Sequence, residues 1–156
     1  AYMFVYAGKP WLTQKWSRFV LDHAYNNTVY GICGNDDVGQ MSAWYVLSAI
    51  GFYPVCPVDG VYVIGSPIFD RVTIWLDSHY YRGRQFTIIT HNNSLQNIYI
   101  QSAKLNGKPL NRAWIRHSEI AAGGTLELVM GPKPNENWGT EPLPLSLFQR
   151  TSATLK

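Results

Sequence analysis

The chain has 156 residues, 46% of them hydrophobic, enough for one domain or two small ones with a real core. Its net charge of +3 comes without any run of basic residues; Lys104, Lys108, Arg112 and Arg116 stand among apolar neighbours as on a solvated sheet face, which argues against a nucleic-acid partner. No stretch reaches the roughly 18 apolar residues of a membrane span, and Cys33 and Cys56 lack the spacing of a metal clip and read as free thiols.

The opening "AYMFVYAGKPW" reads as the middle of an element, so the absence of a signal peptide says nothing about export. Residues 1–7 read as the end of a helix closed by Gly8, and Pro10 suits the first turn of the next. Leu12, Trp16, Phe19, Val20 and His23 fall on one helical face, which predicts a helix over 10–24. A loop follows from "NNT". A second helix is predicted over 38–50, with Ala43, Trp44, Leu47 and Ile50 as its buried stripe and Gly51 as its stop. After Pro57 the pattern changes to short β-branched and aromatic runs: "GVYVIG", "RVTIWL", "QFTIIT", "NIYIQSAKL" and "TLELVM". Turn residues at Asp77-Ser78, Asn92-Asn93 and Asn106-Gly107 separate them, and Asn-Gly is a strong hairpin signal. Five or six strands at this spacing predict an antiparallel sheet or sandwich. From Pro132 the composition predicts an extended tail, frayed at its end. The expected class is α+β, with a helical segment over 1–57, a β-region over 58–131 and a tail over 132–156.

The chemistry concentrates in "GICGNDDVGQMSAWYVLSAIGFYPV", residues 31–55. Asp37 stands three residues before Gln40, where the apolar helical pattern starts. That spacing fits an Asp form of the capping box, with Asp37 accepting the amide of residue 40 and Gln40 reaching back. Loss of such a cap costs roughly 1 kcal/mol. A second reading starts from the neighbours. Gly34 and Gly39 let a ligand approach the backbone closely, and Asn35 and Asp36 need polar partners. A carboxylate at a helix N-terminus stays charged and can serve as a general base toward water. Glycoside hydrolysis by inversion needs two carboxyl groups roughly 6.5–9.5 Å apart. Asp36 and Asp37 are too close in sequence to be that pair, so they can supply only one member and its helper.

The stretch "GNDDVGQMSAWYVLSAIGFYPV" followed by "YVIGSPIF" resembles the signature of the family 92 glycoside hydrolases, calcium-dependent exo-acting α-mannosidases. The upstream "YAGKPWLTQKW" and the downstream block from "NNSLQNIYIQ" to "GPKPN" are similar to the same family, in the same order, over residues 2–137. The resemblance implies that Asp37 is the general base. It places Asn35 where the family often has a second, assisting Asp, and Asn35 can still orient water by hydrogen bonding. The role of the middle acidic position, Asp36, stays open, and Gly34 and Gln40 are the expected substrate-side neighbours. The resemblance also implies a general acid Glu, the main calcium ligands and an N-terminal β-sandwich, all expected outside this chain. No metal ligand is assigned to its own residues. The chain then reads as the last helices of an (α/α)6 barrel and the β-region after it, from an exported protein, periplasmic or at the cell surface. Its partners would be a mannose-containing glycan and the upstream barrel and sandwich.

Other residues carry plainer readings. Trp44 sits on the predicted stripe and reads as core more than as a sugar platform. Trp11, Trp16, Trp75 and Trp114 read as packing, and His23, His79, His91 and His117 lack metal spacing. Ser118 is placed to cap a short turn. Asn26-Asn27-Thr28 and Asn92-Asn93-Ser94 match glycosylation acceptors but read as loop residues. Two other functions stay open: a non-catalytic carbohydrate-binding or structural β-module, and a related (α/α)6 glycoside phosphorylase. No cluster of basic residues and glycines near the motif would hold phosphate, which counts against the second.

Overall fold

The computed structural model describes residues 1–144. Residues 2–7 form a 3-10 helix ended by Gly8 in the left-handed region. Helix α1 spans Pro10–His23, with Pro10 in its first turn. Helix α2 spans Gln40–Ile50 and stops at Gly51, also left-handed. Eight strands follow: β1 (Phe52–Tyr53), β2 (Val61–Ile64), β3 (Arg71–Trp75), β4 (Gln85–His91), β5 (Tyr99–Leu105), β6 (Lys108–Pro109), β7 (Trp114–Arg116) and β8 (Gly124–Gly131). A short helix α3, His117–Ala121, separates the last two.

The strands make two sheets. One is antiparallel with order β1-β2-β7; the other has five strands in the order β3-β4-β8-β5-β6. The class is α+β as expected, but the larger sheet is mixed. Strand β8 enters between β4 and β5 and runs parallel to β4 and antiparallel to β5. The expectation of a purely antiparallel region fails because β4 and β5, adjacent in sequence, never pair. The Asn106-Gly107 hairpin is present: Leu105 faces Lys108, and both loop residues have positive φ (51° and 76°), as a two-residue loop of this hand requires.

The core lies where the two sheets meet. Phe86, Ile88, Ile100, Leu126, Leu128 and Met130 from the larger sheet are fully buried together with Phe52, Val63, Ile64 and Ile115 from the smaller. Each such side chain contributes about 1.5–3 kcal/mol by burial. Trp138 joins this core from the segment after β8 and donates its indole N–H to the Leu110 carbonyl at 2.8 Å. The frayed end expected for the tail falls on residues 145–156, outside the described residues.

Helix α1 packs by its polar side. Its apolar face is turned away from the sheets: Trp16 is 39% and Phe19 49% exposed. The buried face carries Thr13, Gln14, Ser17 and Arg18. The physical reason is a demand for hydrogen-bond partners. The Ile100 amide donates to Gln14 Oε1 at 3.0 Å. The Arg18 guanidinium, 4% exposed, donates to the Pro67 carbonyl, to Asn93 Oδ1 and to the Ser94 carbonyl. A polar helix face satisfies loop and strand ends that an apolar face would leave unpaired. Among the tryptophans, Trp114 is buried while Trp75 is exposed on edge strand β3. At α3, Glu119 rather than Ser118 does the capping: it accepts the Arg116 amide at 2.8 Å and pairs with Arg112 at 2.6 Å.

Candidate active site

The motif residues 34–40 form the end of the loop between α1 and α2. Their support is aromatic. Tyr25, just after α1, stacks on Trp44 of α2 at 5.8 Å and 6°. Trp44 meets Tyr2 edge-on, and Tyr2 stacks on Tyr53 of β1. Such pairs add about 0.5–1.5 kcal/mol each beyond burial. The Tyr2 hydroxyl donates to Ser48 Oγ at 2.9 Å, fixing α2 to the N-terminal turn. Trp44 is thus partly buried packing, as its place on the stripe suggested, while Ala43 of that stripe is exposed. The Tyr25 hydroxyl donates to the Met41 carbonyl at 3.2 Å. Burial, then the Cys33 thiol and Asp36, pushes the Tyr25 phenol up to about 12, so it stays a proton donor.

On this bed the two aspartates part company. Asp36 accepts the Ser42 amide at 2.8 Å with one carboxylate oxygen and the Ser42 hydroxyl at 2.7 Å with the other. These two bonds, hydroxyl first, hold the Asp36 carboxyl below the usual range. Its backbone carbonyl accepts the Gly39 amide at 2.5 Å. The Asp37 carbonyl accepts the Gln40 amide, but its exposed carboxylate has no hydrogen-bond partner among the described residues. It begins a short 3-10 turn, Asp37–Gly39, in which Val38 sits at φ 57° and Gly39 at φ 83°. A left-handed valine is a genuine outlier, and strain of about 1–3 kcal/mol of this kind concentrates at functional sites.

The capping box expected between Asp37 and Gln40 is therefore absent, and α2 starts at Gln40 rather than at 38. Two left-handed residues lie between Asp37 and the helix, so the cap comes from Asp36 instead. Gln40 does not reach back; its amide donates to the Tyr53 hydroxyl at 3.4 Å. Asn35 is exposed, and a Cβ added at Gly34 or Gly39 would meet nothing within 4 Å, so this face of the motif is open. Ser42, Tyr25 and Tyr53 are site neighbours that sequence reasoning missed. Ser42 had a signal: it is the third residue of α2, the position whose amide a cap satisfies. Beside the motif, Tyr25, Asn26, Ile32, Ser42, Tyr45 and Val46 line a groove of about 400 Å³. Asp37 is not part of it.

Calcium needs six to eight oxygen ligands, carboxylates prominent among them. No group of three His, Cys, Asp or Glu side chains comes together among the described residues. These residues do not assemble such a site by themselves.

Residues 1–132 match the family described as the glycosyl hydrolase family 92 catalytic domain. The chain belongs to glycosyl hydrolase family 92. This family 92 chain superposes on an inverting mannosidase of the family from Bacteroides thetaiotaomicron with a TM-score of 0.84, at 44% identity, covering 93% of this chain and 19% of that one. A second family 92 α-mannosidase from the same organism gives 0.85 at 37% identity, with 94% and 19% covered; it has also been solved in complex with mannoimidazole. A protein of Arthroderma benhamiae named as an uncharacterized secreted glycosidase is 38% identical over 141 residues, 89% of this chain and 18% of its own length. The family 92 chain thus spans about a fifth of the length of these relatives.

Proposed function

We propose that this chain supplies the general base of an inverting exo-α-mannosidase, and that Asp37 is that base. The observation that carries the reading is the difference between adjacent carboxylates. Asp36 has both oxygens engaged by Ser42, so it is a poor acceptor for a further proton. Asp37 is exposed with its carboxylate oxygens unengaged, on a turn whose glycines leave room for a ligand. Asp37 takes a proton from water, and the resulting hydroxide equivalent attacks the anomeric carbon. A carboxylic acid outside the described residues protonates the departing oxygen from the opposite side, as inversion requires. Asn35 orients the water, and Gly34 and Gln40 border the sugar. In the whole protein α1 and α2 would belong to an (α/α)6 barrel, the main calcium ligands would come from other segments, and a terminal α-linked mannose would be the substrate. The secreted name of one relative supports an exported parent. Among the described residues no helix is long and apolar enough to cross a membrane.

The test is Asp37→Asn in the full-length protein, assayed with an aryl α-mannoside. Turnover should fall by about 10²-fold or more, while stability changes by less than about 0.5 kcal/mol, as for a surface position. Retention of more than about a tenth of the activity would overturn the base assignment. If Asp36→Asn is inactive while Asp37→Asn keeps its activity, the base is Asp36 and the register is off by one.

A further inference from the structure

We propose that Ser42 is a positioning residue for this reaction, acting through Asp36 to fix the turn that carries Asp37; the proposal rests on the general-base reading above. Asp36 is gripped twice. Its carboxylate takes the amide and the hydroxyl of Ser42 at 2.8 and 2.7 Å, and its carbonyl takes the Gly39 amide at 2.5 Å. Only Asp37 and Val38 lie between the two grips. Val38 is left-handed, and its side chain is fully exposed. Nothing packs on that side chain to hold the strained conformation, and a free β-branched residue returns to the extended region. The conformation is therefore held from its ends, by Gly39 on one side and by the Asp36–Ser42 clamp on the other. The clamp's foundation is rigid: Ser42 is in the first turn of α2, which Trp44 and Ser48 tie to Tyr25 and Tyr2.

The consequence is that the hydroxyl of Ser42 sets where the Asp37 carboxylate points. Removing it leaves Asp36 with the amide alone, relaxes Val38 and lets Asp37 leave the position from which it addresses water. Misplacement of a catalytic group by about 1 Å can cost up to 10²-fold in rate. A plain helix cap makes a different demand. It would change stability and leave the turnover number of the folded enzyme alone.

The experiment uses the full-length protein with Ser42→Ala, Ser42→Thr, Asp37→Asn and the double variant Asp37→Asn/Ser42→Ala. Turnover number, KM for an aryl α-mannoside and melting temperature are measured for each. Ser42→Ala should lose about tenfold or more in kcat with KM within about twofold, and Ser42→Thr, which keeps the hydroxyl, should recover most of it. In the Asp37→Asn background, Ser42→Ala should change the residual rate by less than about twofold, because its effect passes through Asp37. A kcat for Ser42→Ala within about twofold of the parent overturns the proposal. So does an equal loss in both backgrounds, which marks general damage to the site. If Ser42→Ala does not fold, Asp36→Asn carries the same comparison from the other end of the clamp. Full activity in Asp37→Asn removes the base reading itself, a failure visible before Ser42 is altered.

Discussion

Asp36 and Val38 are the residues where local chemistry has the most to say. The Ser42 bonds hold the Asp36 carboxyl below its ordinary range. A depressed folded value means that the stabilisation is complete above the unfolded value, near 3.9, and disappears as pH falls through the lower folded one. Thermal melts of the parent and of Asp36→Asn should therefore converge as pH drops through about 4 toward 2; parallel curves over that window would refute the linkage. Val38→Gly tests the strain. Relief of a left-handed β-branched residue should raise stability by about 1 kcal/mol in a urea titration, after the entropy cost of glycine is set against it. The same variant should turn over more slowly, since a glycine turn holds Asp37 less firmly. At this scale the sequence marked the motif but not which of its aspartates the neighbours would engage. Asp37 and Gln40 have the spacing of a capping box, and nothing about a valine announces a left-handed turn. The three-residue detour at Asp37–Gly39 moved the cap back to Asp36.

Helix α1 is the element whose behaviour least resembles its pattern. Apolar periodicity identifies a face that needs covering, but not what covers it. Here the sheets took the polar face because Ile100, Pro67 and the 93–94 turn needed partners. Gln14→Ala should leave the buried Ile100 amide unpaired and cost about 2 kcal/mol in equilibrium unfolding, with faster hydrogen exchange at Ile100 itself. A loss below about 0.5 kcal/mol, typical of an unimportant surface site, would show that water replaces the glutamine. The strands were easier to read. Runs such as "RVTIWL" and "QFTIIT" became β3 and β4 because β-branched and aromatic residues fit a pleated, half-buried surface. Strands β1, β6 and β7, of two or three residues each, are too short to show a period. The place of β8 was illegible because alternation gives a strand's faces and not its neighbours.

For the whole molecule, the outward apolar faces matter most. Trp16 and Phe19 of α1 and Val46 of α2 are exposed together with Val29, Tyr30 and Ile32 of the motif loop. Trp16 and Phe19 adjoin each other, and contiguous exposed apolar surface marks places that bind something. The isolated 156-residue chain should therefore self-associate, with an apparent mass in light scattering that rises with concentration. Phe19→Ser should weaken the association, and a monodisperse parent over a wide concentration range would contradict it. The same isolated chain should show no mannosidase turnover above buffer, since only one of the two required carboxyl groups is assigned to it. The order β3-β4-β8-β5-β6 has a consequence for synthesis. The central strand is the last of the five to leave the ribosome. Until residues 124–131 emerge, β4 and β5 present two bare edges to the cytosol or to the secretion machinery with no legitimate partner for either. Contacts of such long sequence separation close slowly, and unpaired edges recruit other chains meanwhile. A nascent chain stalled just before β8 should thus be held by chaperones and be sensitive to protease along β4 and β5, and release of the next eight residues should protect both strands in a single step.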